Sequence, residues 1–282
     1  ETVRVRTSGS EGNPITFKAA PGEQVIFDGS RRELAVGFSI LGKEYIHLDG
    51  LHFRMFGSDG WTSALDMRYS KHLKIERCLL NNYGAGIPGT LVRMDHCENV
   101  QIRNCVISRG FQGIYSSQPK NLRIENNVFL NNLICAIVNS GGGTRDLVIR
   151  KNIFVDSIPT KAKVQLFELG GFDQYILEDN AFYLRIPDEE RKPFGFYGNG
   201  NGIERLSVAM YNEKTGQRNQ VIDNPRFTIT EGVEPKNAKG ETIAFLGDWI
   251  PRAELSFQDL FSHHPGLTEQ KIGLLPEEFA GL

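Results

Sequence analysis

Short runs of alternating apolar and polar residues recur along most of this chain, each joined to a fixed motif. The motif reads apolar-x-apolar-x-x-small or Asn-x-apolar, as in Leu122, Ile124, Asn127 and Phe129. A period of two predicts β-strands, because successive strand side chains point to opposite faces of a sheet. Further copies of the motif begin at Ile46, Leu73, Val100, Leu147 and Tyr175.

The copies are too short to fold as separate units. Their second apolar positions fall at 48, 75, 102, 124, 149 and 177, so that one unit spans 22 to 28 residues. A unit of this size cannot bury its apolar side alone, whereas stacked copies can. Residues 1–185 therefore predict an all-β solenoid of parallel strands, with about seven to eight coils.

Asparagine interrupts the apolar strands at one repeated position. Asn127, Asn152 and Asn180 hold this position in successive copies. We predict that they lie at an inward turn, where their amides bond to each other and to buried turn carbonyls.

Two cysteines hold the same position in the preceding copies, where small apolar side chains would fit. The chain has no CxxC pair and no cysteine–histidine spacing typical of zinc sites. Free cysteine is among the most buried residue types. We therefore predict four buried free thiols, at Cys78, Cys97, Cys105 and Cys135.

The repeat ends after residue 185. Residues 202–216 predict a short helix with one apolar face and a terminal glycine: Ile203, Leu206, Met210 and Gly216. The open end of a parallel stack is a template for aggregation and must be covered. We predict that residues 186–282 form the last coil or coils, the helix and an irregular cap of the same single domain.

The repeat resembles the right-handed parallel β-helix repeat family, which includes pectate-lyase-like, chondroitinase-like and alginate-lyase-like proteins. The resemblance covers roughly residues 15–185 and rests on the Asn column and on the entry segment GNPITFKAAPGEQVIFDG. It implies a right-handed coil with one sheet that lines a polysaccharide groove. It does not imply one activity, since the fold carries many chemistries.

Ionisable residues concentrate on two neighbouring strands of the sheet that the resemblance makes the groove. Two carboxylates there, roughly 5–9 Å apart, would suit a glycosidase. Alternatively, arginines could hold a uronate carboxylate while Tyr115, His96 or an arginine removes the adjacent proton, as a lyase requires. The catalytic candidates are Asp66, Asp95, Arg93, Tyr115 and His96.

The same face offers candidates for substrate binding. Trp61 precedes the groove strand and could stack on a sugar ring, and other outward positions are polar. The substrate-binding candidates are Arg68, Trp61, Ser117 and Glu168. A purely structural interpretation is equally open, in which Asp66–Arg93 and Arg68–Asp95 are cross-strand ion pairs that hold the register.

The sequence departs from the lyase and epimerase members of the family. No lysine occupies the outward groove positions, and MDHCEN keeps only Asp95 and His96 of the Asp-Pro-His-Asp stretch of mannuronan epimerases. No cofactor is required by any motif, and a calcium site of oxygen ligands stays an open option.

Composition adds few constraints. The 282 residues are 40% apolar and 23% charged, with a net charge of -2, which gives no reason to expect nucleic acid as a partner. No apolar run is long enough for a membrane helix. We expect a secreted, periplasmic or cell-surface monomer.

Two functions remain open at this level. The first, which we favour, is an enzyme that cleaves an acidic polysaccharide, either a polysaccharide lyase or a glycoside hydrolase. The second is a non-catalytic β-helix module for glycan binding, adhesion or cell-surface structure.

Overall fold

The computed structural model is a stack of coils in which each coil adds one strand to each of three sheets. It describes residues 1–29, 36–56, 62–82, 89–141, 144–156, 166–170, 175–184, 187–197, 202–223, 225–227 and 256–280. Strands are numbered β1 to β24 along the chain. All strand pairs are parallel except the last pair of the first sheet, β22 and β23.

The first sheet has nine strands, in the spatial order in which they are given. They are β1 (Val3–Arg4), β4 (Val36–Ser39), β7 (Ser63–Asp66), β10 (Thr90–Asp95), β13 (Gln112–Ser117), β16 (Cys135–Ser140), β19 (Phe167–Leu169), β22 (Phe194–Tyr197) and β23 (Ile203–Leu206).

The second sheet has seven strands and the third has eight. The second contains β2 (Ile15–Lys18), β5 (Glu44–Asp49), β8 (Lys71–Glu76), β11 (Glu98–Arg103), β14 (Lys120–Glu125), β17 (Arg145–Arg150) and β20 (Tyr175–Glu178). The third contains β3 (Val25–Asp28), β6 (Leu51–Arg54), β9 (Leu79–Asn81), β12 (Val106–Ser108), β15 (Val128–Leu130), β18 (Ile153–Asp156), β21 (Ala181–Leu184) and β24 (Gln220–Val221).

Full turns of the solenoid carry a six-residue strand in the second sheet. Among the described residues there are five such strands, β5, β8, β11, β14 and β17, and the strands on either side of them are shorter. The solenoid thus has about five full turns with shorter turns at its ends. The predicted number of seven to eight coils was slightly too high for full turns.

The core is built from columns of equivalent residues in successive coils. Phe129, Phe154 and Phe182 stack with ring centroids 4.7 and 5.2 Å apart, and all three are almost wholly buried. Burial of each such side chain stabilises the fold by about 1.5–3 kcal/mol. The repeat motif therefore reports residues that touch through space.

The predicted Asn column is confirmed. The Oδ1 of Asn152 accepts hydrogen bonds from the backbone N and the Nδ2 of Asn127, at 2.9 and 3.0 Å. The Oδ1 of Asn180 accepts the same pair from Asn152, at 3.1 and 3.0 Å. The amide of Asn127 in turn accepts from the backbone of Cys105, which begins the cysteine end of the column.

The ladder extends one step beyond the prediction, to Asn219, whose Oδ1 accepts from the backbone N of Asn180 at 3.2 Å. Asn219 follows a helix and so lies outside the regular spacing of the motif. The prediction of four buried free thiols is confirmed as well, because Cys78, Cys97, Cys105 and Cys135 are all free and buried.

The predicted helix is present but shorter. Helix α2 (Val208–Thr215) follows a first short helix α1 (Asp188–Arg191) and ends at Gly216, which has a left-handed backbone. It begins at Val208 because the Oγ of Ser207 accepts a hydrogen bond from the backbone N of Met210. The predicted apolar face was therefore wrong: Ile203 and Leu206 lie in β23, and Met210 is 44% exposed.

Helix α2 lies over the end of the main core. Its buried residues are Val208 and Tyr211, and the Tyr211 ring packs 4.6 Å from Phe194 and 5.7 Å from Phe196. Residues 256–280 lie elsewhere, on the outer face of the third sheet. This segment, the tail, contains helix α3 (Pro265–Glu269) and two 3-10 turns, Gln258–Leu260 and Pro276–Phe279.

The tail buries a second apolar cluster, separate from the core of the coils. Outward side chains of the third sheet, such as Val106, Val128 and Ile153, pack there against Leu260, Leu267 and other apolar residues of the tail. The predicted boundary between coils and cap, at residues 185–186, lies outside the described residues.

Candidate functional site

The outer face of the first sheet carries two columns of mostly polar side chains. They form because the strands are parallel and in register, which places equivalent outward residues side by side. The first column runs through Ser39, Asp66, Arg93, Tyr115, Val138 and Glu168. The second column, one pleat further along each strand, contains Arg68, Asp95, Ser117 and Ser140.

Asp66 and Arg68 form a two-bond ion pair. The Nε of Arg68 donates to one carboxylate oxygen of Asp66 at 2.8 Å, and an Nη donates to the other at 2.7 Å. The hydrogen bond to Asp66 raises the pKa of Arg68, against the opposing effect of burial. Asp66 is only 3% exposed, so that its carboxylate depends on this partner.

Arg93 and Asp95 form a looser pair on the next strand. The Nε of Arg93 lies 3.4 Å from the Oδ2 of Asp95. The Oδ1 of Asp95 is buried and accepts no hydrogen bond from the described residues. The guanidinium carbon of Arg93 also lies 5.9 Å from the centre of the Tyr115 ring, on the neighbouring coil.

These pairs differ from the cross-strand pairs of the structural interpretation. Asp66 faces Arg93 in the register but bonds to Arg68, two residues further along its own strand direction. Residues i and i+2 share one face of a strand, so the guanidinium reaches the nearer carboxylate without crossing to the next coil. The prediction of Asp66–Arg93 and Arg68–Asp95 ion pairs was therefore wrong.

Hydroxyl groups replace charges further along the face. The hydroxyl of Tyr115 lies 2.7 Å from the Oγ of Ser140, and Ser117 lies beside Ser140 in the sheet. Beyond them, the hydroxyl of Tyr197 donates to Glu168 at 2.9 Å. Burial, together with the hydrogen bond to Glu168 and its charge, raises the pKa of Tyr197 to about 12.

The first column spans a long strip of surface. Asp66 and Glu168 are four coils apart, which corresponds to roughly 20 Å at the usual spacing of neighbouring strands. One end of the strip is charged, and the other carries hydroxyl groups and a tyrosine–glutamate pair. A strip of this length suits an extended ligand with a repeating unit.

His96 lies at the corner where the first sheet turns into the second. Its ring stacks on Tyr69 of the preceding coil, with centroids 5.4 Å apart and planes 20° from parallel. Both residues have a left-handed backbone, and Tyr69 is 59% exposed. The two rings form an exposed aromatic edge directly beside Arg68 and Asp95.

Tyr69 was missed by the sequence analysis. Its position just after Arg68 was readable as the residue before His96 in the repeat, but the strand pattern gave no reason to examine the turn. The predicted sugar-stacking residue Trp61 lies outside the described residues. The remaining candidates, Arg93, Asp95, Tyr115, Ser117 and Glu168, all lie on the two columns with Asp66 and Arg68.

The outer face of the second sheet differs, since it carries many ion pairs. Burial raises the pKa of Glu76, but hydrogen bonds from His47 and Lys74 and their charges lower it, to about 2 overall. Arg150 donates to Glu125 at 2.6 Å one coil away. In the part of the chain that the structure describes, no three metal-ligating side chains cluster, and no helix is long and apolar enough to cross a membrane.

Comparison with known proteins supports the fold. Residues 57–182 match the family model described as right handed beta helix region. Among curated proteins, none matches this chain. Among solved structures, an alginate lyase from Paenibacillus sp. str. FPU-7 is similar, with a TM-score of 0.48, 14% sequence identity and 68% of each chain covered. The family match and the three parallel sheets confirm the predicted right-handed parallel β-helix.

Proposed function

Since this chain has the right-handed parallel β-helix fold, we propose that the outer face of its first sheet binds an extended polysaccharide and cleaves it. The observation that carries the proposal is the continuous strip of charges, hydroxyls and exposed rings on the two columns. Neighbouring coils repeat every 4.8 Å or so, which is close to the length of one sugar unit in an extended chain. Successive sugars would therefore meet successive coils.

The geometry favours elimination over hydrolysis. A glycosidase needs two carboxyl groups that are available to the substrate. Asp66 is buried and bound by Arg68 through both oxygens, so Asp95 alone remains accessible as a carboxylate partner. Tyr115 and Arg93, by contrast, lie next to each other on the open face.

In the proposed reaction, Arg93 neutralises the carboxylate of a uronate unit, and Tyr115 moves the proton. The base takes the proton from the carbon next to the carboxylate, whose electrons form a carbon–carbon double bond as the glycosidic C–O bond breaks. The leaving oxygen takes up a proton, and no water is consumed. Ser140, hydrogen-bonded to Tyr115, holds the tyrosine hydroxyl in place.

The other candidates then act on binding. Ser117 and Glu168 would contact sugars further along the strip, and the Tyr69–His96 edge offers a ring face on which a sugar can stack. Asp95 would orient Arg93 through the bond to its Nε. A secreted, periplasmic or cell-surface location belongs to the same proposal, because such polysaccharides lie outside the cell.

A panel of uronate-containing and neutral polysaccharides tests the activity. We expect an unsaturated, ultraviolet-absorbing product from at least one uronate polymer and none from neutral polymers. Tyr115→Phe and Arg93→Gln should each lower the rate by about 100-fold, the lower range for loss of an acid–base group. Lys120→Gln, on the second sheet, is the matched control and should keep full activity.

A second candidate is a binding module without catalysis. It is favoured by the pairing of the charged residues on the strip: Arg68 with Asp66, Arg93 with Asp95, and Glu168 with Tyr197. In this case the panel would show binding that Tyr69→Ala weakens, with no product after long incubation. Product that is unchanged in Tyr115→Phe and Arg93→Gln would move the active site away from this strip.

A further inference from the structure

A ridge of turn residues lines the corner between the second and third sheets. It contains one residue from each coil: Arg77, Asn104, Asn126, Lys151, Asp179 and Arg218. The first five have a left-handed backbone, which turns the chain toward the third sheet. The ridge lies next to the Asn ladder and is not part of the first sheet.

The tail covers the ridge only in part. Arg77 donates to the carbonyl of Glu278 at 2.8 Å, and the Nδ2 of Asn126 donates to the carbonyl of Lys271 at 2.6 Å. The contact ends at Lys151, whose carbonyl accepts from the backbone N of Gly273 at 2.8 Å.

Beyond Lys151 the ridge opens into a cavity of about 450 Å³, the ridge pocket. Its volume lies within the range of small-molecule sites. The lining residues are Lys151, Asp179, Asn180, Arg218, Asn219, Gln220 and Gln270.

Two of the lining amides are already used by the fold. Asn219 donates from its Nδ2 to the carbonyl of Leu177 at 2.7 Å and accepts from Asn180 at its Oδ1. The amide of Asn180 likewise bonds to Ile149 and Asn219. These residues form a rigid wall of the pocket and leave recognition to the others.

The remaining groups carry a net positive charge. Arg218 lies 3.3 Å from the carboxylate of Asp179 and is 84% exposed at its side chain. Lys151 has no acidic partner among the described residues, and the side chains of Gln220 and Gln270 make no hydrogen bond to them. Two cations, one carboxylate and two free amides thus face one cavity.

We propose that the ridge pocket binds a sugar acid, meaning a small polyhydroxylated ligand with one carboxylate. Lys151 and Arg218 would hold the carboxylate, Arg218 through two parallel hydrogen bonds. The amides of Gln220 and Gln270 and the carboxylate of Asp179 would accept and donate to the hydroxyls. This site does not depend on the groove of the first sheet, and its failure would leave the proposed function untouched.

Calorimetric titration of the intact chain with glucuronate, glucose and inorganic phosphate tests the proposal. We expect glucuronate to bind, with glucose and phosphate at least about tenfold weaker, because each lacks half of the recognised groups. Lys151→Gln and Arg218→Gln should each weaken glucuronate by about tenfold. Thermal unfolding of both variants should stay unchanged, since neither side chain is buried.

Two controls separate this pocket from other positive surfaces. Lys120→Gln removes an exposed cation from the second sheet and should leave glucuronate binding unchanged. Arg93→Gln alters the groove of the first sheet and should also leave it unchanged. The proposal is overturned if glucuronate does not bind, if phosphate binds equally well, or if Arg93→Gln abolishes binding while Lys151→Gln does not.

Discussion

Two sets of residues in this molecule run in columns across the coils, the Asn ladder inside and the polar strip outside, and they bond in different directions. In the ladder, Asn127, Asn152 and Asn180 bond from coil to coil. On the strip, Asp66 and Asp95 bond along their own strand direction, to Arg68 and Arg93. The same register thus leads to cross-coil bonds in one place and local bonds in the other.

Burial explains the difference. An amide in the ladder is wholly buried, and the only partners within reach are the next amide and the turn carbonyls. A guanidinium on the strip is partly exposed and long enough to choose the nearest carboxylate, with water satisfying the rest. The ladder is therefore expected to hold the coils together, and the strip to remain available to a ligand.

The largest effect is expected from breaking the ladder. Asn152→Leu removes the acceptor of two bonds from Asn127 and leaves that residue's backbone N buried without a partner. We expect the free energy of unfolding to fall by about 3–5 kcal/mol, measured by urea denaturation. Gln101→Ala, which removes an amide from the outer face of the second sheet, is the control and should cost under about 0.5 kcal/mol.

A smaller loss is expected at the buried end of the strip. Arg68→Gln leaves the Asp66 carboxylate buried without its cation, and we expect a loss of about 3 kcal/mol. Adding Asp66→Asn to this variant should restore most of it, because the buried charge is then gone. If the double variant is as unstable as the single one, the pair is not what stabilises this strand.

The contact between the tail and the third sheet should depend on pH. His52 lies against Phe257 of the tail, and burial lowers the pKa of His52 to about 4. The unfolded chain binds this proton near the ordinary pKa of about 6.5, so stability is full above that pH and falls as the pH drops toward 4.

We expect this histidine to account for a loss of about 2–3 kcal/mol between those pH values. His52→Gln cannot take up the proton, so its unfolding free energy should fall less over the same range. The difference between the two pH profiles is the quantity to measure. Parallel profiles would mean that His52 is not the group responsible.

The smallest effect is expected on the second sheet. Arg150 and Glu125 form a cross-coil ion pair, but Arg150 is 41% exposed at its side chain. Arg150→Gln should cost about 0.2–1 kcal/mol at low salt, and less in 1 M salt, where screening is strong. A loss as large as that of Asn152→Leu would show that cross-coil position, and not burial, sets the energy.

The sequence predicted the ladder well because the fold repeats it at nearly constant spacing. Asn219 escaped because helix α2 lies between it and Asn180, so the spacing no longer applies. The end of the helix at Gly216 was readable, since a glycine tolerates the left-handed backbone found there. Its start was misplaced because Ile203 and Leu206 continue the helical pattern by coincidence while pairing with β22 as a strand.

The polar strip was predicted in position but not in its bonds. Alternation identifies outward residues such as Arg93 and Tyr115, yet it does not say which of two nearby carboxylates an arginine will choose. That choice depends on side-chain reach and burial, which a pattern does not contain. The tail was beyond prediction for a similar reason: its scattered apolar residues fit the outer face of the third sheet only once that face exists.

The most direct test compares one residue of each region in the same two measurements, unfolding free energy and binding of the polysaccharide found in the panel. The account predicts that Arg93→Gln lowers affinity by about tenfold while stability changes by under about 0.5 kcal/mol, and that Asn152→Leu lowers stability alone at temperatures where it remains folded. A variant Arg93→Gln that unfolds as readily as Asn152→Leu and binds the polysaccharide normally would contradict it.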